Sequence, residues 1–337
     1  MVIQLILGFL LAYALARMGT PMARDAALRF GVVDRPDGHL KNHTEPVAYL
    51  GGLAVFTSFL LSLGMIFEFD HELLALVLAS TIVTAVGLID DFGVLTPKPK
   101  MLGQIVAVFV LLKAGVILEL VFLPWWARYL ITIVWLLGLS NAFNLLDIMD
   151  GLASGVGFIA GSFLLMVAVL NGRWVVAAFT VALLGALVGF LRFNFPPARL
   201  FMGDAGSIPL GFLAGTLGII GANLNVWPWL FPLLVFSPFI LDASVTLVRR
   251  ALRGEKIWQA HRSHYYQRVV LLGASHRQLA LAAYVLMVGM AALAFAMLIL
   301  PKYTTWVLIM SAAIFMLIFL AIDVRWRRCV RGQISMD

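Results

Sequence analysis

Apolar runs long enough to cross a bilayer recur along the whole chain, and nothing else in the sequence constrains the fold as much. There are eleven, at roughly residues 2–18, 47–67, 72–89, 101–118, 125–141, 152–170, 174–191, 206–222, 227–248, 278–300 and 303–323. About 20 mostly apolar residues span a hydrocarbon core. Lipid offers no partner to an open backbone, so each run must close its own hydrogen bonds as a helix. Composition agrees: 62% of the 337 residues are hydrophobic and 12% are charged, with a mean hydropathy of +1.00, where a soluble domain carries roughly 25% charged residues. The sequence predicts an all-α fold, a polytopic membrane helix bundle of about 11 transmembrane helices forming a single integral membrane domain over residues 1–337. The first run starts at Val2, with no basic stretch ahead of it and no small-residue cleavage site before Arg17. That predicts a first membrane helix rather than a removable leader.

Charge orders these helices. The net charge is +7, which in a soluble protein would suggest nucleic acid. Here the basic residues fall where topology needs them, and no nucleic-acid partner is expected. Twenty of the 24 Lys and Arg lie in alternate loops or at the C-terminus, leaving Lys113, Arg128, Arg173 and Lys302 for the other side. Because cytoplasmic loops collect Lys and Arg, the N-terminus is expected outside and the C-terminus in the cytoplasm. The loops at about 19–46, 90–100, 142–151, 192–206 and 249–277 then share the cytoplasmic face. Cys329 is the only cysteine, so no internal disulfide can form.

The chemistry-bearing residues gather in those loops. In NAFNLLDIMDG, Asn141, Asn144, Asp147 and Asp150 stand three residues apart, a spacing that makes one slowly turning polar stripe on a helix. Asp90 and Asp91 close a span in GLIDDFG. Adjacent carboxylates at a membrane boundary repel, and a divalent cation or a protonated partner relieves them; two solvated helix-ending acids are the plainer alternative. Asn194 opens NFPPARLFMGDAGS, where Gly203 and Gly206 flank Asp204. A helix opening at Ser207 would offer its N-terminal amides to an anion, or Asp204 or Ser207 would simply cap it. His261, Arg262 and His264 lie in the most basic loop, followed by Tyr265, Tyr266 and Arg268. Two histidines without a cysteine make a poor zinc site, so phosphate binding fits better, with lipid headgroups as the alternative. Lys100 precedes MLGQ, and His39, Lys41 and His43 form a weaker set in the first loop. Neither G-x-G-x-x-G nor a P-loop occurs. Carboxylates, amides and basic groups on one face are what a Mg²⁺–diphosphate site requires.

Two other classes explain less. An ion-coupled transporter would carry its ionisable groups near the midplane, in broken helices and inverted repeats, whereas these acids sit at span ends and no repeat is visible. A scaffold or lipid-binding protein would account for the basic loops but not for the clustered Asp and Asn. Gly185/Gly189 and Gly211/Gly215 have small-xxx-small spacing, which predicts helix-packing contacts.

GLIDDFG, KMLGQ, NAFNLLDIMDGLASG, NFPPARLFMGDAGS and HRSHYYQR, in this order, resemble the polyprenyl-phosphate N-acetylhexosamine-1-phosphate transferase superfamily from about Asp34 to Arg268. The resemblance implies a bundle of ten or eleven membrane helices, often a homodimer, in the bacterial inner membrane with its active site facing the cytoplasm. It implies transfer of a sugar-1-phosphate from a UDP-N-acetylhexosamine, GlcNAc first among them, to undecaprenyl or another polyprenyl phosphate lipid, with release of UMP. That is the initiating step of a surface glycan such as O-antigen. Phospho-MurNAc-pentapeptide translocase activity is the related alternative. By the same resemblance, Asp90, Asp91 and His264 are catalytic; Lys100, Asn144, Asp147, Asp150, Asn194, His261 and Arg262 bind substrate; and Asp204, with Asp147, holds Mg²⁺ or Mn²⁺. One departure is local: Ile148 stands where the superfamily's D-G-x-D-G has its first glycine. Asp90 or Asp91 would act as base or as covalent nucleophile.

Overall fold

The structure, a computed structural model, describes residues 1–34, 47–67, 71–256 and 263–334. His39, Lys41, His43, His261 and Arg262 lie outside the described residues. The described chain is predominantly helical, and its internal packing groups into two units, Met1–Trp229 and Leu230–Asp337.

The first unit holds α1 (Val2–Phe30), α2 (Gly51–Ile66), α3 (His71–Asp91), α4 (Pro97–Lys113), α5 (Trp125–Leu146), α6 (Leu152–Leu170), α7 (Trp174–Asn194) and α8 (Asp204–Asn223). A two-stranded ribbon, β1 (Val33–Asp34) antiparallel to β2 (Val47–Ala48), lies between α1 and α2. The second unit holds α9 (Leu230–Val235), α10 (Ser237–Leu252), α11 (Tyr265–Leu271), α12 (His276–Ile299) and α13 (Thr304–Ile334).

Among the described residues, eight helices are long and apolar enough to cross a membrane: α1, α3, α5, α6, α7, α8, α12 and α13. The chain is a multi-pass membrane protein. The other three expected spans take a different form. The 47–67 run becomes α2, 16 residues long, and the 101–118 run becomes α4, 17 residues long and opened by Pro97. The 227–248 run breaks at Phe236 into α9 and α10. Pro238 fits that break: it donates no N–H, so it suits the first turn of a helix, not its interior.

The first unit is organised around α8, which packs on α3, α5 and α2, while α7 packs on α1, α6 and α2. Glycine sets how closely these helices approach. A Cβ at Gly185 would lie 2.3 Å from the Phe9 carbonyl oxygen, and one at Gly189 would lie 2.7 Å from Ala16 Cβ. On α8, a Cβ at Gly211 would lie 2.5 Å from the Leu139 carbonyl oxygen. Both small-residue pairs are therefore packing contacts, α7 on α1 and α8 on α5. Van der Waals packing of this kind is what holds helices together where lipid removes the hydrophobic drive. Closer still is the start of α8. A Cβ at Gly52 would come within 2.1 Å of Gly206 Cα, and one at Gly87 within 2.3 Å of the Asp204 carbonyl oxygen. Side chains there would drive α2 and α3 away from the first turn of α8, where the polar residues meet.

Candidate active site

Four helix ends bring the site together. Asp90 and Asp91 end α3, Lys100 lies in the first turn of α4, Asn144 lies in the last turn of α5, and Asp204 begins α8. Lys100 Nζ donates to Asp90 Oδ2 at 2.9 Å and also to Asp204 Oδ2. Asn144 Nδ2 donates to Asp204 Oδ1 at 2.5 Å and to Ser207 Oγ at 3.1 Å. Asp204 is thus gripped on both oxygens, one by a cation and one by an amide. Lys100, Asp90 and Asp204 each remain about one-fifth exposed, so the cluster is open at one side.

The turn before α8 draws in two further carboxylates. Gly203 lies at φ +71°, in the left-handed region, and a Cβ there would lie 2.7 Å from Asp91 Oδ2. Its N–H donates to Asp147 Oδ2 at 2.8 Å. The next two amides go to Asp91: Asp204 N–H to Oδ1 at 2.7 Å and Ala205 N–H to Oδ2 at 3.0 Å. The following pair, Gly206 and Ser207, donate to the Gly203 carbonyl. Every amide that α8 presents at its N-terminus is therefore engaged inside the chain. This corrects the sequence expectation that these amides await a bound anion, or that Asp204 or Ser207 caps the helix; the cap is a carboxylate from α3.

Asp147 closes α5, partly exposed as a residue, yet with its carboxyl crowded. Burial pushes that carboxyl well above the ordinary carboxylate range. The Gly203 N–H opposes the shift, and the neighbouring charges of Asp204, Asp91 and Asp150 reinforce it. Asp90 and Asp204 share one lysine, while Asp91 and Asp147 lie beside them on backbone amides.

The 141–150 stripe divides. Helix α5 stops at Leu146, and Gly151 at φ +70° starts α6, so the three-residue step survives only as far as Asp147. Asp150 turns instead to the Ala198 N–H at 3.0 Å. Asn194, buried, works as a latch: its Oδ1 accepts from Ser154 Oγ at 2.8 Å and from Gly151 N–H at 3.2 Å, and its Nδ2 donates to the Leu200 carbonyl at 3.1 Å. Asp150 and Asn194 therefore position the loop that carries Asp204. Asn141, which opens the stripe, donates to Gln104 Oε1 at 2.8 Å.

In the second unit, His264 is buried at the start of α11. Its Nδ1 lies 3.1 Å from Asp242 Oδ2, and Asp242 Oδ1 accepts the Tyr265 N–H at 2.6 Å. Asp242 escaped the sequence reading, although a lone acid inside the 227–248 run carries a signal of its own, since intramembrane acids are costly without a partner. Arg268 is not part of an open basic patch. It donates to Asp323 Oδ1 at 2.9 Å, and Arg249 grips the same carboxylate through both nitrogens at 3.0 and 2.8 Å. Tyr49, tilted against Phe201 with ring centres 6.0 Å apart, also went unread; burial and Asp34 raise its hydroxyl far above its usual range.

Taken together, these features define a multi-pass membrane protein with a polar site of hard oxygen donors, a lysine and an amide at helix ends. Comparison narrows the class. Residues 73–222 match glycosyl transferase family 4, a segment that contains every member of the acid–lysine cluster. The chain is 28% identical to a probable undecaprenyl-phosphate N-acetylglucosaminyl 1-phosphate transferase of Bacillus subtilis, covering 84% of this chain and 82% of that one. It is 30% identical to a decaprenyl-phosphate N-acetylglucosaminephosphotransferase of Mycolicibacterium smegmatis, over 83% of this chain and 79% of the other. It is 33% identical to a phospho-N-acetylmuramoyl-pentapeptide-transferase of Bacillus cytotoxicus, over 63% and 72% respectively. The chain belongs to glycosyl transferase family 4.

Proposed function

We propose that this protein transfers an N-acetylhexosamine-1-phosphate, with GlcNAc as the sugar, from a UDP-sugar to a polyprenyl phosphate in a bacterial cytoplasmic membrane, releasing UMP. The observation that carries the proposal is the convergence of Asp90, Lys100, Asn144 and Asp204 at the helix ends of a family 4 chain. The coverage by GlcNAc-phosphate transferases, 84% and 83% of this chain against 63% for the pentapeptide transferase, favours a simple aminosugar donor. The charge split along the sequence supports an N-terminus outside, a C-terminus inside and a cytoplasmic site.

The residues fit a magnesium ion. Their donors are carboxylate oxygens, and a cation, the Lys100 ammonium, already bridges two of the acids. Among the described residues no three such side chains form a ready coordination shell. Mg²⁺ suits that arrangement, because it commonly takes one or two carboxylates and completes its shell with substrate phosphates and water. Asp204 would hold it, with Asp90 beside it, and Mn²⁺ is the substitute. When bound, the ion would offset the charge of the donor diphosphate and of the departing UMP.

The chain's own residues set up the rest. Asn144 fixes Asp204 through one oxygen and so sets which face of the carboxylate points outward. Lys100 keeps Asp90 and Asp204 together despite their repulsion, and its ammonium is within reach of phosphate oxygens that enter the cluster. The lipid phosphate oxygen forms a bond to the β-phosphorus of the donor as the bond to UMP breaks. Asp90 takes the residual proton of the lipid phosphate where one is present. Asp242 on Nδ1 orients the His264 ring; the sequence alone proposes His261, Arg262 and His264 as phosphate-binding groups. The long tail of the acceptor explains why such an enzyme is built in the membrane.

The test is a membrane assay with undecaprenyl phosphate, Mg²⁺ and a panel of UDP-N-acetylhexosamines and UDP-MurNAc-pentapeptide. UMP release with a lipid-linked product from UDP-GlcNAc, abolished by EDTA, is the expected result. Product from the pentapeptide donor alone would establish the related activity instead, and release of UMP from no donor would overturn the proposal.

A further inference from the structure

The paired acids of GLIDDFG do different things in the structure. Asp90 meets Lys100 at the open side of the cluster. Asp91, its neighbour, spends both carboxylate oxygens on the backbone of another helix, 2.7 Å to Asp204 N–H and 3.0 Å to Ala205 N–H. The surroundings are shaped for that contact. Gly87, one turn earlier on α3, leaves room for the Asp204 carbonyl, and Gly203 leaves room for the Asp91 carboxylate itself. Gly203 at φ +71° has no side chain to cap α8, so the first amides of the helix have no local partner. An anion at a helix N-terminus satisfies both the open donors and the helix dipole. Here it arrives from 113 residues earlier in the chain.

We propose that Asp91 is a positioning residue: it caps α8 from outside that helix and thereby fixes where the Asp204 carboxylate stands, leaving Asp90 as the acid of the pair available to the reacting phosphates. A carboxylate that is to attack phosphorus or take a proton must turn an oxygen toward the substrate, and Asp91 would have to release an α8 amide to do so. The inference rests on the transferase reading for its consequence but not for its geometry.

The test compares Asp91→Asn, which keeps one acceptor oxygen, Asp91→Ala, which keeps none, and Asp90→Asn. The first readout is hydrogen exchange of the 203–208 segment in detergent, without substrate. Loss of the cap is expected to speed exchange about tenfold in Asp91→Ala, less in Asp91→Asn and not at all in Asp90→Asn. The second is turnover against Mg²⁺. Asp91→Asn should raise the apparent Mg²⁺ constant about tenfold and keep turnover at saturating Mg²⁺ within about 10²-fold of wild type, since displacement of a catalytic group costs up to about that much. The third is the pH–rate profile, whose acidic limb should survive in Asp91→Asn and change only in Asp90→Asn. Unaltered exchange in both Asp91 variants would overturn the proposal. So would a phosphosugar trapped on Asp91 by mass spectrometry, or turnover at background in Asp91→Asn with its fold intact. Exchange needs no substrate, so an inactive wild-type protein would defeat the transferase reading while leaving the cap to be judged separately.

Discussion

The two units treat buried charge in opposite ways. In the first, Asp90 and Asp204 share Lys100, Asn144 supports Asp204, and Asp91 and Asp147 lean on backbone amides. In the second, guanidinium groups outnumber the acids: Arg249 and Arg268 converge on Asp323, and Arg250 pairs with Glu255 at 2.9 Å while also bonding the Lys256 carbonyl at 2.8 Å. On the proposed reading, the cluster short of positive charge receives a cation. A cluster whose acids are already matched is prepared to hold its helices together, and its remaining basic groups suit an anion. The difference sets the acid–lysine cluster of the first unit apart from the Asp323 cluster of the second, and substitutions can test what each does.

The largest effect should come from Asp204→Asn. It preserves shape and the Asn144 side of the contact but removes the charge facing Lys100, so transfer should fall on the order of 10³-fold with thermal unfolding in detergent close to wild type. Lys100→Met comes next. Activity should drop about 10²-fold, and the stabilisation gained from added Mg²⁺ should exceed that of wild type, because the acids have lost their resident cation; an unchanged Mg²⁺ shift would mean that the acids are not the ion's site. Asp242→Asn should reduce turnover about tenfold by loosening the His264 ring, seen as a lower kcat with KM for the UDP-sugar nearly constant. Smallest in activity is Asp323→Asn, which lies on the scaffolding side of the comparison. It should cost about 1 kcal/mol of stability, modest because the cluster is partly exposed, with turnover within twofold of wild type. A collapse of activity there would erase the distinction between the units.

Much of the fold and of the candidate site is legible in the sequence. The membrane class follows from hydropathy, and the glycine pairs on α7 and α8 were readable because four-residue spacing on an apolar helix has few other uses. Asp90, Lys100, Asn144 and Asp204 stood out as polar residues at span ends, where charge is not retained without cause. What stayed hidden is what long-range contact decides. No local pattern says that the α8 amides are answered by an acid on α3, or that Asn194 closes on Gly151 and Ser154. The stripe from Asn141 to Asp150 was read as one face because its spacing is helical, but a left-handed Gly151 turns its last member aside. The apolar run at 227–248 hid both a break at Phe236 and the partner of His264, since hydropathy averages over Pro238 and the lone acid Asp242.

The central claim is that the unbalanced acids of the first unit are a divalent-cation site serving phosphate transfer. Its most direct test is a Mn²⁺ titration of the purified protein followed by electron paramagnetic resonance, with UDP present. The account predicts saturable Mn²⁺ binding in wild type that persists in Asp323→Asn and is lost in Asp204→Asn. Equal binding in Asp204→Asn, or sugar-phosphate transfer that continues undiminished in EDTA, would contradict it.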